Sequence, residues 1–199
     1  MPLLFVFDRH PNDLTTLNVV EYADNLEEAI QEFEESREGV SSAVSEATSL
    51  LTEELQKEEA EVREASKSWE VSWEKAKEEF SILEKDFSVV GSDSKSYFAK
   101  LEEIANSINN PELKETEIKK NNELKDSWTV AYKNASKTIS SLRELISYGD
   151  DFQKVLLGAS LRIKIQSSIT ELEKISQQAK TLLTQLEELS KEGKKLISN

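Results

Sequence analysis

Apolar side chains recur every three or four residues along most of this chain, and that spacing predicts long amphipathic helices. From residue 26 the series reads Leu26, Ile30, Phe33, Val40, Val44, Ala47, Leu51 and Leu55. It continues through Val62, Ala65, Trp69, Trp73, Ala76, Phe80, Leu83 and Phe87, with Arg37 and Glu58 interrupting the stripe. Steps of three and four place side chains on one face of a helix with 3.6 residues per turn. Ala47-Leu51-Leu55 and Ala65-Trp69-Trp73 each use successive fours, which pulls the mean period towards about 3.6 and favours a nearly straight helix. Asp24 and Asn25 suit a helix cap, and Glu27 and Glu28 suit the positive end of the helix dipole. The pattern predicts one helix over 26–88, about 90 Å long at 1.5 Å per residue, with Gly39 as its one weak spot.

Beyond it, Val89-Val90-Gly91-Ser92-Asp93-Ser94 breaks the series and reads as a turn. A short helix over 95–109 follows, with Phe98, Leu101, Ile104, Ala105 and Ile108 on one face. Asn109-Asn110-Pro111 ends it, and Pro111 suits the first turn of the next helix. That helix, over 111–148, carries Leu124, Trp128, Ala131, Ala135, Leu142 and Leu145. Tyr148-Gly149-Asp150-Asp151 has the chemistry of a helix stop followed by a new cap. The stripe nevertheless keeps its phase there through Leu145, Gly149, Phe152 and Leu156, so a continuous helix is the second reading. The last expected helix, over 151–197, ends with Lys191, Lys194 and Lys195 near the negative end of its dipole.

Residues 1–25 differ. Leu3 to Phe7 reads as a short strand or extended apolar arm, and His10-Pro11-Asn12-Asp13 as a turn. Leu14, Leu17 and Val20 could begin a short helix. The arm is too small to bury itself, so it is expected to dock on the bundle, on a second copy or on a partner. The fold class expected is therefore all-α: an elongated antiparallel bundle of three to four long amphipathic helices over 26–199, with coiled-coil-like packing and a short apolar N-terminal arm.

Composition adds two constraints. With only 5 Gly and 3 Pro in 199 residues, the chain has few places to turn, so its elements should be few and long. A net charge of −14 and a mean hydropathy of −0.55 would also fit a disordered chain, but the apolar periodicity argues against one. Zero Cys removes disulfides, thiolate nucleophiles and Cys-based zinc sites, and suits a reducing compartment. No apolar run is long enough to span a bilayer, and Asp8 and Arg9 cut the opening apolar run too short for a signal-peptide core. A cytoplasmic protein is the expectation.

Charge changes the picture more. Residues 21–90 hold 21 acidic and 7 basic side chains, a net of −14, whereas residues 91–199 hold 16 and 17, a net of +1. Long solvated helices carry Glu for solubility alone. The sharper expectation is that the first helix offers an acidic face to a basic protein partner. Nucleic acid is not an expected ligand, because phosphate contacts need a local basic excess. Lys114, Lys119, Lys120 and Lys125, the best basic cluster, are diluted by Glu112, Glu115, Glu117 and Glu123.

Catalytic chemistry finds little to use. His10 is the lone histidine, so any Ser-His-Asp or Glu-x-x-His metal arrangement would have to pass through it, and no such spacing exists. Gly-rich phosphate loops and calcium-loop patterns are also missing. Trp69, Trp73 and Trp128 lie on apolar stripes, where core packing is the first reading and a ligand cluster the second. Asn134-Ala135-Ser136 fits a glycosylation sequon but falls within an expected helix. No catalytic, cofactor-binding or metal-ligating residue is assigned, and no cofactor is implied. The function expected is a non-enzymatic structural or scaffolding rod that binds protein partners and can form a homo-oligomer. The alternative is a membrane-acting helical protein, either a pore-forming toxin component or a curvature-sensing crescent.

Overall fold

A computed structural model describes residues 12–57, 62–160 and 166–198, and they form an all-α bundle of four helices. These are α1 (Asn12–Leu55), α2 (Val62–Ser107), α3 (Pro111–Ser160) and α4 (Gln166–Ser198). Each packs against two neighbours in the cyclic order α1, α2, α3, α4 and back to α1, and the diagonal pairs do not approach at the backbone. All four contacts are antiparallel. Phe33 meets Phe87 while Glu46 meets Lys75. Trp73 meets Ile146 while Asn121 meets Leu101. Ser127 meets Glu192 while Tyr148 meets Glu171, and Ser190 meets Glu34 where Gly193 faces Ile30.

The stripe residues are the core. Leu26, Ile30, Phe33, Val40, Val44, Ala47, Leu51 and Leu55 are buried on α1, as are Ala65, Trp69, Trp73, Ala76, Phe80 and Leu83 on α2. Trp128, Ala135, Leu142, Leu145, Phe152 and Leu156 line α3, and Leu172, Ile175, Ala179, Leu186 and Leu189 line α4. Two buried hydroxyls are satisfied within their own helix: Ser36 donates to the Phe33 carbonyl at 3.0 Å and Thr48 to the Val44 carbonyl at 2.8 Å.

The helix limits differ from those expected, for three reasons. First, 26–88 is not one helix. α1 ends at Leu55 and α2 begins at Val62, and residues 58–61 lie outside the described residues. The stripe keeps phase from Leu55 to Val62, so periodicity alone reads straight through. A single long helix would expose its stripe, whereas folding back lets the two halves bury each other, with Phe33 and Phe87 6.1 Å apart.

Second, neither glycine-centred turn exists: Val89–Ser94 lies inside α2 and Tyr148–Asp151 inside α3. Both glycines are buried and sit under aromatic rings. A methyl group at Gly91 would overlap the Tyr132 phenol, and one at Gly149 the Trp73 indole. Glycine is present because a neighbouring ring needs the space of its side chain, not because the chain bends. The expected helices 95–109, 111–148 and 151–197 are thus replaced by the second part of α2, by an α3 reaching Ser160, and by an α4 that begins at Gln166.

Third, residues 12–25 are not part of a separate arm but the opening turns of α1, so Asp24 and Asn25 stand mid-helix instead of capping it. The strand-like reading of Leu3–Phe7 and the position of His10 lie outside the described residues. One boundary matches its signal closely. Pro111 opens α3, and the Asn110 Oδ1 accepts from the Glu112 and Leu113 amides at 3.0 and 3.1 Å.

Candidate interaction surface

α1 carries its charge in an organised way. Glu21, Asp24, Glu28, Glu32 and Glu35 follow one another at steps of three and four, which confines them to one face of the helix. All five are exposed, and none forms an ion pair among the described residues. The run lies well past the first turn of α1, so the positive end of the helix dipole does not compensate it. Like charges one turn apart cost a helix about 0.2–0.5 kcal/mol per pair at this kind of exposure. Along the rest of the same face Glu46 pairs with Lys75 at 2.8 Å, and Glu53 stands without an ion pair among the described residues.

α4 is organised differently. Glu171 pairs with Lys174, Glu188 with Lys191 and Glu192 with Lys195, each across one turn. Its outer face is locally neutralised, whereas the first half of α1 is not.

Between the two helices lies a charged cluster that the apolar pattern registered only as the interruption at Arg37. The Arg37 guanidinium donates to both Glu34 oxygens at 2.5 and 3.2 Å, and to the Leu183 carbonyl of α4 at 3.4 Å. Glu187 lies 3.6 Å away, and the Ser190 hydroxyl donates to Glu34 at 2.7 Å. Burial alone would raise the Glu34 carboxyl, but hydrogen bonds from Arg37 and Ser190 outweigh it and hold the group below the ordinary carboxylate range. Hydrogen bonding to Glu34 likewise holds the Arg37 guanidinium above its ordinary value. These contacts fix α1 against α4 in one register. The sequence signal was Glu34 one turn before Arg37; the partners on α4 left none.

No protein-family model, curated protein or solved structure matches the chain. The surface must therefore be read from its own chemistry.

Residues singled out by sequence fall as follows. Trp69 and Trp73 are each 1% exposed and stack with ring centroids 4.6 Å apart, while Phe152 meets Trp69 edge-on at 5.3 Å. Their indole N–H groups donate to the Gly149 and Ile146 carbonyls at 3.0 and 3.1 Å, so both are core residues with satisfied polar handles. Trp128 is also buried and lies near Tyr132, which in turn stacks on Phe87 at 4.5 Å. Tyr132 was not visible as a packing residue, because it stands one position beside the α3 stripe. In the basic cluster, Lys120 pairs with Glu117 at 2.9 Å and Lys114 donates to the Asn106 carbonyl at 3.0 Å. Asn134 is exposed in mid-α3. Among the described residues no group of three His, Cys, Asp or Glu side chains is placed to hold a metal ion, and no helix is long and apolar enough to cross a membrane.

Proposed function

We propose that this protein is a non-enzymatic, elongated helical scaffold that binds a basic protein partner along the outer face of α1. The observation that carries this reading is the row Glu21, Asp24, Glu28, Glu32 and Glu35, which is exposed and without ion pairs among the described residues. Repulsion within the row destabilises α1 slightly, and a partner's Lys or Arg side chains would remove that repulsion on binding. Such a surface steers association over a Debye length of about 8–10 Å and loses its reach as salt rises. An extended shape is supported by a total accessible surface of 13200 Å², against about 9500 Å² for a compact monomer of this mass. Long antiparallel seams of the coiled-coil kind, with α3 about 75 Å long, suit a scaffold that presents a straight face.

The test uses a lysine-rich helical peptide as probe and two charge-matched variants. One carries Glu28→Gln, Glu32→Gln and Glu35→Gln on α1; the other carries Glu173→Gln, Glu187→Gln and Glu188→Gln on α4. The peptide should bind the wild type more weakly as salt is raised. The α1 variant should lose at least about ten-fold in affinity, with the α4 variant close to wild type. Equal losses in the two variants would mean that only bulk charge is sensed, and the reading would fall.

A further inference from the structure

Along α2, Val71, Lys75, Glu79, Ile82 and Asp86 follow at steps of four and three, so they share one face of the helix. Two of them fix which neighbour that face meets. Lys75 pairs with Glu46 of α1 at 2.8 Å, and Glu79 lies against Gly39 of α1, where an added methyl would overlap its carboxylate. Because the two helices are antiparallel, the register carries over from these pairs. Leu50 stands level with Val71, one turn beyond the Glu46–Lys75 pair, and Glu32 stands level with Asp86, two turns from Gly39 and Glu79. The outer edges of α1 and α2 thus line one groove, about 22 Å long between Val71 and Asp86.

Asp86 stands apart from the other acids of this groove. It is only 6% exposed, yet it carries no hydrogen bond and no ion pair among the described residues. Of the cations on these two helices, Arg37 is turned to Glu34 and α4, Lys75 to Glu46 and Lys100 to Glu103. The buried Ser36 hydroxyl, one turn along α1 from Glu32, donates to the Phe33 carbonyl. A carboxylate withdrawn from water without a partner costs free energy until a cation or another donor reaches it. Around Asp86 the groove is of two kinds. Val71, Ile82 and Leu50 are exposed apolar side chains, and Glu28, Glu32 and Glu35 form an exposed wall without ion pairs among the described residues.

We propose that this groove takes a basic amphipathic helix of the partner protein, one of whose Lys or Arg side chains is inserted to Asp86. The inference rests on the reading of α1 as the binding face, and adds the partner's form and its anchor. A helix of about 15 residues spans the groove from Val71 to Asp86. Its apolar side chains cover Leu50, Val71 and Ile82, and its basic edge meets Glu28, Glu32 and Glu35. The methylene stem of the inserted cation lies along Ile82, one turn from Asp86, and its head supplies the donors that the carboxylate lacks. The two sets of acids then act differently. The exposed row steers the partner and is screened by salt, whereas the pair formed at Asp86 is sheltered and slows dissociation.

The probes are a lysine-rich helical peptide with a leucine stripe beside its lysines and the same peptide with glutamine in place of each leucine. The wild type should bind the leucine peptide at least about ten-fold more tightly than the glutamine peptide. Asp86→Asn should weaken the leucine peptide at least about ten-fold, chiefly through faster dissociation. That loss should persist at high salt, where the loss in the variant carrying Glu28→Gln, Glu32→Gln and Glu35→Gln shrinks. Because the carboxylate makes no bond within the fold, Asp86→Asn should unfold in urea at the wild-type midpoint or above it, which separates lost binding from lost folding. Wild-type affinity in Asp86→Asn, or equal binding of the two peptides, would overturn the inference, while the reading of α1 stands if its own variant still loses affinity. A lower urea midpoint would place Asp86 in a contact within the fold and overturn it equally. Binding of neither peptide to the wild type would remove both readings.

Discussion

The two ends of this bundle are built from the same helices yet packed in opposite ways. Around Trp69 and Trp73, two indoles stack on each other, Phe152 meets them edge-on, and Gly149 gives up its side chain so that Trp73 can lie against the α3 backbone. Around the α2–α3 connection, Leu101, Ile104, Ile108 and Ile118 are only half-buried, and Leu113 is 60% exposed. Both ends show the apolar spacing of a core helix. What separates them is the number of neighbours: among the described residues four helices surround the tryptophans, whereas three run on to the tip. A stripe of given hydrophobicity stabilises a bundle only to the extent that something covers it.

Four changes would break or sharpen this contrast. Trp69→Ala should have the largest effect, about 3–5 kcal/mol by urea unfolding, because it opens a cavity between Trp73 and Phe152 and orphans the second hydrogen bond to the Gly149 carbonyl. A cost under 1 kcal/mol would mean that the tryptophan end is not the more tightly packed one. Gly149→Ala sets two effects against each other. Alanine gains about 1 kcal/mol of helix propensity, but its methyl must displace a buried indole, and overpacking costs about 1–3 kcal/mol. We expect net destabilisation of up to about 2 kcal/mol, lowering Tm by up to roughly 8 °C in a chain of this size; a raised Tm would show that the ring can move aside.

Glu34→Gln addresses the clamp between α1 and α4. Because the folded-state pKa of Glu34 is depressed, its contribution is present above the unfolded carboxylate value of about 4.3 and is lost as pH falls through the folded value. Wild-type stability should therefore drop below about pH 5 more steeply than that of the variant. Around Ser190 and Lys194, amide exchange in the variant should rise at neutral pH while the tryptophan end keeps its protection. Identical acid limbs would remove Glu34 as a contributor. Leu113→Ala should matter least, within about 0.5 kcal/mol, because its side chain is already mostly in water. A larger loss would reveal a contact covering the tip.

Much of the architecture is legible in the sequence. The burial of Leu26, Phe33, Val44, Leu51, Trp69, Trp73 and Phe80 follows directly from their three-and-four spacing, as does the opening of α3 at Asn110-Pro111. The acidic weight of the α1–α2 half was also legible, since charge can be counted along the chain. The pairing of Glu46 with Lys75 needed the cross-helix neighbours, as did the meeting of Arg37 with Leu183 and of Glu34 with Ser190, whereas the pairs on α4 lie one turn apart within that helix.

By itself, then, the order of apolar and polar residues determined that this chain forms helices and which face of each turns inward, because both follow from a repeat local to a few turns. Where the helices end was settled only in the folded bundle. A glycine that permits a turn and a glycine that admits an indole are the same residue in the sequence, and a stripe that runs in phase from Leu55 to Val62 looks alike whether the rod is straight or doubled back. Contacts between residues distant along the chain decided both, because doubling back buries the stripe against itself and the space left by a missing side chain is filled by a ring from another helix.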